Sequence, residues 1–317
     1  MNISIVIPTY NNEKILKKNL PKVLDSVRDY RKGNVEIIIA DDPSTDNTPQ
    51  VINNFIASIS EKHVIGKTIS NKNKKENGFS KNVNRGVDLA TGDILILLNS
   101  DVIPHKDFLN ALLPHFADPK VFAVGCMDES IEDGKTVLRG RGIGRWYKGL
   151  LMHGEGSLDK TNTLWVSGGS AAFRKSLWDK LRGLDPLFNP FYWEDIDLSY
   201  RALKSGYKII FEKNSVVTHE HEEGTIKKKF KPDHVRKIVY RNQFFFVWKN
   251  ITDTSLMLSH LFWLPYHLIN GLRGRDWVFF KGFFLAVFDL PSVMISRDRA
   301  KKLFVKSDKK ILREFKQ

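Results

Sequence analysis

Ile94-Leu95-Ile96-Leu97-Leu98-Asn99-Ser100-Asp101 is the stretch whose reading decides the fold. A run of apolar residues stops abruptly on a polar triplet that ends in a carboxylate. Parallel strands covered on both faces read as unbroken apolar runs of this kind. In open α/β sheets, ligands lie beyond the carboxyl ends of such strands. A carboxylate there is well sited to hold Mg²⁺ or Mn²⁺ against a diphosphate, because these ions take oxygen ligands and share them with phosphates. Asp101 equally suits a helix N-cap, with Pro104 close behind it. The rest of the chain decides between the two.

Outward from that stretch, strand and helix signals alternate. Ile3 to Ile7 is apolar and β-branched, and Pro8-Thr9-Tyr10-Asn11-Asn12 turns. Ile15, Leu16, Leu20, Val23, Leu24 and Val27 then recur at helical spacing. Val35 to Ala40 reads as a second strand ending on Asp41-Asp42, and Ser44 to Thr48 is rich in helix-capping residues. Asn77-Gly78-Phe79-Ser80 opens a helix that closes near Thr91-Gly92, just before the deciding strand. This order predicts a mostly parallel sheet flanked by helices and joined by right-handed crossovers. From Lys120 to Arg182 glycines are frequent, at Gly140, Gly142, Gly144, Gly149, Gly154 and Gly156. That region reads as long loops over a site. Val216-Val217 reads as a short strand leading into His219-Glu220-His221.

The 317 residues leave room for about two domains. The expected division is a catalytic α/β domain over 1–226, with a donor half of about 1–104 and an acceptor half of about 105–226, then a helical segment over 227–317. That segment is dense in aromatics, as in Phe244-Phe245-Phe246-Val247-Trp248, with basic residues interrupting every apolar run. None of its runs reaches the roughly 18 uncharged apolar residues of a spanning helix. Amphipathic helices in a membrane interface fit, as do helices packed on the catalytic domain or across a homo-oligomer.

With 42% hydrophobic and 27% charged residues, the composition is that of a globular protein with a large core. A single cysteine, Cys126, excludes an internal disulfide framework and suits a reducing cytoplasm. The first residues lack the basic and long apolar regions of a secretion signal. The net charge of +14 points to anionic partners: nucleic acid, membrane or substrate. Zinc-finger spacing, an aromatic RNA-binding consensus and a long arginine-rich tail are all missing, so no nucleic-acid partner is expected.

Other constellations carry chemistry. Asp41 ends a strand where its carboxylate can accept the N3–H of uracil or thymine. Trp193-Glu194-Asp195-Ile196-Asp197 sets three carboxylates beside aromatics. Asp197 and Arg201 can pair at i, i+4, while Glu194 and Asp195 have the makings of a general base beside a sugar-stacking ring. His219 and His221 alternate in a strand-like run, so both, or only the first, could reach a metal.

Taken together, these blocks resemble family 2 glycosyltransferases of the GT-A, Rossmann-like fold. Val6 to Glu13, Ile39 to Thr48, Asn77-Gly78-Phe79-Ser80 with Asn84-Arg85-Gly86, and Gly92-Asp93 to Asp101 follow the family's donor-side order. Asn99 replaces the first acid of an Asp-X-Asp metal motif, which leaves Asp101 as the ligand. Gly168-Gly169-Ser170-Ala171 and Gly183-Leu184-Asp185 resemble the acceptor-side block before Glu194-Asp195, and His219-Glu220-His221 the late histidine motif. The match runs in order from about residue 3 to 250, through Arg241-Asn242 and Trp248-Lys249-Asn250.

The resemblance implies inverting transfer of a sugar from a UDP- or dTDP-sugar to a hydroxyl of a saccharide or lipid-linked acceptor, in surface polysaccharide or glycoconjugate synthesis. It implies Asp195, with Glu194, as the catalytic pair. Pro8, Thr9, Tyr10, Asn12, Asp41, Gly78, Lys81, Asp93, Asn99, Ser100 and Asp101 would bind the donor. Gly169, Ser170 and Trp193 would face the acceptor. Asp101 with His219, or alternatively His221, would hold Mn²⁺ or Mg²⁺. The basic, aromatic tail adds the expectation of a cytoplasmic enzyme, peripheral on the inner face of the cytoplasmic membrane. A sugar-nucleotide nucleotidyltransferase ranks lower, because the first loop lacks the glycines that cradle a triphosphate. A non-catalytic membrane or nucleic-acid adaptor leaves Asp101, Asp195 and His219 unexplained.

Overall fold

The computed structural model describes residues 1–71, 73, 77–220 and 230–315. The first half alternates as expected: β1 (Ile3–Thr9), α1 (Glu13–Val27), β2 (Val35–Asp41), α2 (Thr48–Ser58), β3 (Val64–Ser70), α3 (Phe79–Asp88) and β4 (Ile94–Leu98). Then come β5 (Val102–Pro104), α4 (Phe108–Leu112), β6 (Val121–Glu132), β7 (Lys135–Arg139), β8 (Gly142–Tyr147), β9 (Leu150–Glu155) and β10 (Ser170–Arg174). The chain continues through α5 (Lys175–Leu181), α6 (Glu194–Lys204) and β11 (Lys208–Glu220). The last helices are α7 (Pro232–Asn250), α8 (Thr254–Arg273), α9 (Trp277–Phe288), α10 (Leu290–Lys301) and α11 (Asp308–Glu314).

Among the described residues, the main sheet has nine strands in the order β3-β2-β1-β4-β10-β6-β11-β5, with β7 on β6. β3, β2, β1 and β4 are parallel, β10 runs against both β4 and β6, and β11 is parallel to β6. The sheet is therefore mostly parallel. β1, β2 and β4 are buried at every position, which is why they read as apolar runs, broken inside only by Ser4 and Glu36, which bond each other at 2.5 Å.

Side-chain alternation divides the interior into two cores. On one face Ile3, Ile5, Ile7, Ile94, Ile96 and Leu98 pack against Leu16, Leu20 and Phe55. On the other, Val6, Leu95 and Leu97 share a core with Val83, Trp178, Trp193 and the Phe244-Phe245-Phe246 run of α7. The aromatic run of the tail is thus interior packing.

The glycine-rich region differs from its reading as loops. Gly142 and Gly144 belong to β8, which pairs with β9 as an antiparallel hairpin. A Cβ on Gly142 would lie 2.2 Å from the Trp165 indole nitrogen, so glycine lets a ring press on the strand. β11 is also longer than the pair Val216-Val217 indicated. Its register breaks between Glu212 and Val216, across the polar Lys213-Asn214-Ser215, and this breaks the apolar signal.

Candidate active site

The carboxyl ends of β1, β2 and β4 meet at one edge. Thr9 accepts at its carbonyl from the Asp42 amide (2.9 Å), and the Asn12 side-chain amide donates to Ser100 Oγ (2.8 Å). Pro8 pairs with Ala40 inside the sheet, and half-buried Tyr10 follows the strand end. Asp41 is buried and accepts from Ser44 Oγ at 2.6 Å. Burial, reinforced by the nearby Asp42 and Asp46 carboxylates, outweighs the Ser44 bond and pushes its pKa up to about 6. Gly78 caps α3 at φ +135°, a conformation natural to glycine, and its amide donates to Asp42 at 3.1 Å. Lys81 follows, half-buried, in the first turn of α3.

β11 delivers His219 beside the end of β4. Its register pairs His219 with Val102, and the Glu220 amide donates to the Asp101 carbonyl at 3.2 Å. His219 Nε2 consequently faces Asp101 Oδ1 at 3.5 Å, while Nδ1 bonds Asp128 Oδ2 of β6 at 3.0 Å. Burial disfavours the imidazolium, but the two carboxylates outweigh it and lift the His219 pKa to about 9. The donor set suits a divalent ion, which would take the place of the Nε2 proton. One face offers a carboxylate oxygen and an imidazole nitrogen, and a second carboxylate holds the ring from behind, as at many metal-bound histidines. Among the described residues, no group of three or more histidine, cysteine or acidic side chains forms an all-protein metal cage. A two-ligand site completed by diphosphate oxygens and water is what these residues can form.

The acidic pair opens α6. Tyr192 and Trp193 take left-handed φ values of +70° and +76° immediately before α6. Such strain in non-glycine residues survives only where the surroundings enforce it. Asn242 of α7 enforces it, donating from its side-chain amide to the carbonyls of Phe188 (2.9 Å), Phe191 (3.1 Å) and Tyr192 (2.8 Å). Asp195 Oδ1 accepts from its neighbour Ile196 N at 2.8 Å, and Oδ2 from Gly168 N at 3.4 Å. Burial pushes the Asp195 carboxyl up against the pull of those amides. Burial, and then the Asp195 charge, push Glu194 well above the usual carboxylate range. Trp193 is buried against Phe246, with His153 edge-on at 4.8 Å.

Gly168 and Gly169 join the two sides. The Asn99 amide donates to the Gly169 carbonyl at 2.9 Å. A Cβ on Gly169 would lie 2.3 Å from Asn99 Nδ2, and one on Gly168 3.5 Å from Asp195 Cβ. Ser170, next to them, is buried opposite Leu98. The Asn99-Ser100-Asp101 strand end and Asp195 are therefore linked by two hydrogen bonds, one to each of the two adjacent glycines.

Asp93 does not belong to this assembly. It precedes β4, at the amino end of the strand, where it accepts from the Asn2 amide at 2.8 Å. The strand's length separates it from Asp101, so the apolar run identified the strand but its first acid is structural. His221 lies outside the described residues. Asp128 and Asn242, neither assigned a role from the sequence, act through partners 91 and 50 residues away. Asn242 stands in the matched Arg241-Asn242, but no local spacing gives its contact with Tyr192 or the place of Asp128.

The family model described as Glycosyl transferase family 2 matches residues 4–182, and one described as Glycosyl transferase family group 2 matches 94–288. The chain belongs to glycosyl transferase family 2. It is similar to the O-antigen chain rhamnosyltransferase RfbN of Salmonella typhimurium, 23% identical over 70% of this chain and 67% of that protein. It is also similar to the probable glycosyltransferase YdaM of Bacillus subtilis, 29% identical over 71% of this chain and 52% of that protein. A pre-mycofactocin glycosyltransferase of Mycobacterium tuberculosis matches over 43% of its length, so the chain spans from about two thirds to under half of these relatives. Among solved structures, S. aureus TarS 1-349 in complex with UDP-GlcNAc superposes with a TM-score of 0.59 at 15% identity, covering 99% of this chain and 91% of that one. The mannosyltransferase PcManGT of Pyrobaculum calidifontis, in complex with GDP-Man and Mn²⁺, superposes at 0.55 and 16% identity over 95% and 85%. The shared architecture is the GT-A fold. Family membership sets aside the nucleotidyltransferase and adaptor readings.

Proposed function

We propose that the protein transfers a sugar from a UDP- or dTDP-sugar to a hydroxyl of a saccharide or lipid-linked acceptor, inverting the anomeric centre, in synthesis of a surface polysaccharide or glycoconjugate. The observation that carries this reading is the short path from Asp101 and His219, through Asn99, Gly169 and Gly168, to Asp195. A charge-stabilising site and a base linked by so short a path are what in-line displacement needs.

Asp195 takes the acceptor proton as the hydroxyl oxygen bonds to the anomeric carbon and the bond to the diphosphate oxygen breaks. Its raised pKa makes it a better proton acceptor than an exposed carboxylate. Burial and the neighbouring charge push the Glu194 carboxyl well above the usual carboxylate range, which favours leaving the negative charge of the pair on Asp195. Asp41 accepts N3–H of the base, and Pro8, Thr9, Tyr10 and Asn12 line the nucleoside beside Gly78 and Lys81. Trp193 packs beneath the acceptor side, with Gly169 and Ser170 at its rim. Asp101 and His219 would hold Mn²⁺ or Mg²⁺, which when bound stabilises the charge of the departing diphosphate. The imidazole favours Mn²⁺ of the two. Complexes of fold neighbours with UDP-GlcNAc and with GDP-Man and Mn²⁺ support a nucleotide sugar and a divalent ion.

The test is a panel of radiolabelled UDP-, dTDP- and GDP-sugars incubated with the protein, Mn²⁺ and saccharide or polyprenyl-phosphate-linked acceptors. Transfer from a uracil or thymine nucleotide, with release of UDP or dTDP, is expected. Transfer from GDP-sugars alone would contradict the role given to Asp41.

A further inference from the structure

Lys281 apart, α9 is apolar, and only one side is covered. Phe279, Gly282 and Ala286 are buried in the protein, with Phe279 against Tyr240 and Phe244 of α7. Trp277, Phe284 and Phe288 are 61%, 63% and 83% exposed. This departs from the amphipathic helix expected of the tail, in which the phenylalanines would share one face. A helix hydrophobic all round belongs in a protein interior or in lipid. The neighbouring α8, which meets α9 at Gly271 and Phe279, adds exposed Leu258, Leu261, Phe262, Ile269 and Leu272 at helical spacing. Apolar area of this extent on one set of helices marks an interaction surface.

We propose that the outward faces of α8, α9 and α10 dock on an anionic lipid membrane. Charge selects this occupant over a second copy. Arg273, Arg275, Lys281, Arg299, Lys301 and Lys302 are exposed on these helices or beside them, whereas Asp298 is the only exposed acid between residues 254 and 302. A twofold interface would bring two such basic rims together, whereas anionic headgroups complement them. The helices favour lying in the surface over crossing it. No single helix among the described residues is long and apolar enough to span a bilayer; α9 and α10 together have the length and composition of a broken span, but their 63° bend and the exposed charges of α10 fit a pair lying in the surface. On the glycosyl-transfer reading, a lipid-linked acceptor would be met at the bilayer's inner face, but the docking itself does not depend on that reading.

The test is co-sedimentation of the full chain with vesicles of phosphatidylglycerol and phosphatidylcholine, and with vesicles of phosphatidylcholine alone. The protein should pellet with the anionic vesicles at low salt. Binding should fall by roughly tenfold or more on neutral vesicles, at high salt, and in Phe284→Glu/Phe288→Glu. That variant should keep its unfolding midpoint, since both rings are exposed. Lys281→Glu/Arg299→Glu, which keeps the apolar face, should lose only the preference for anionic vesicles. Absence of pelleting, equal pelleting with both vesicles, or a solution dimer dissociated by Phe284→Glu/Phe288→Glu would each overturn the proposal, the last assigning the face to a second copy.

Discussion

The Asn242 side chain, on the first of the C-terminal helices, donates a hydrogen bond of 2.8 Å to the carbonyl of Tyr192, two residues before the acidic pair. The same amide serves Phe188 and Phe191, and Arg241 bonds the Asn189 carbonyl. The helix therefore sets the backbone that aims Glu194 and Asp195.

Asn242→Ala should consequently lower kcat by about tenfold or more while leaving donor affinity near normal, because a small misplacement of a reacting group is costly. The buried carbonyls left without a donor should also cost about 1–3 kcal/mol of stability in a denaturant titration. Unchanged kcat in a variant destabilised by that amount would confine Asn242 to a structural role.

Activity should require Mn²⁺ or Mg²⁺ and disappear with a chelator. Asp101→Ala should abolish metal-dependent binding of UDP or dTDP, and His219→Ala should weaken it less. Asp128→Asn keeps the shape but loses the charge behind His219, and should weaken Mn²⁺ affinity by roughly 10- to 100-fold, the usual scale for such a supporting carboxylate. Full activity in chelator would leave basic side chains to stabilise the leaving group. Metal dependence lost only in His221→Ala would transfer the ligand role to His221.

Donor affinity should fall on acidification. The Asp41 pKa is raised to about 6, so the carboxylate is mostly ionised at neutral pH and protonated below about 6. An ionised acceptor for N3–H predicts full affinity above that value and roughly tenfold weaker binding near pH 5. Calorimetry of UDP across this range reads the effect directly. Asp41→Asn should bind weakly at every pH and flatten the profile. A pH-independent Kd in the unaltered protein would remove Asp41 from base recognition.

The strand ends were legible because continuous apolar runs that stop on polar residues mark both the parallel sheet and its functional edge, as at Leu98-Asn99 and Ala40-Asp41. Motif order added the meeting of Asp101 with His219, which strand register then realises. Asp93 was misplaced because both ends of β4 carry acids and the motif does not separate them. The β8–β9 hairpin was hidden because Gly142 and Gly144 weaken strand propensity while making room for Trp165 and Leu164. The tail's phenylalanines could not be sorted by spacing alone, since α9 is apolar but for Lys281 and only packing on α7 distinguishes Phe279 from Phe284. Asp128 carries no local signature, and Asn242, though it stands in the matched Arg241-Asn242, gives no sign in the sequence of its long-range bond to Tyr192.

The most direct test of the account is the turnover of Asp195→Asn with the best donor and acceptor, measured beside donor affinity in the same preparation. The variant should keep a fold and a donor Kd close to those of the unaltered protein, with kcat lowered by about 100-fold or more, the scale of a lost general base. Near-normal turnover in the folded variant would contradict it and remove Asp195 from the chemistry.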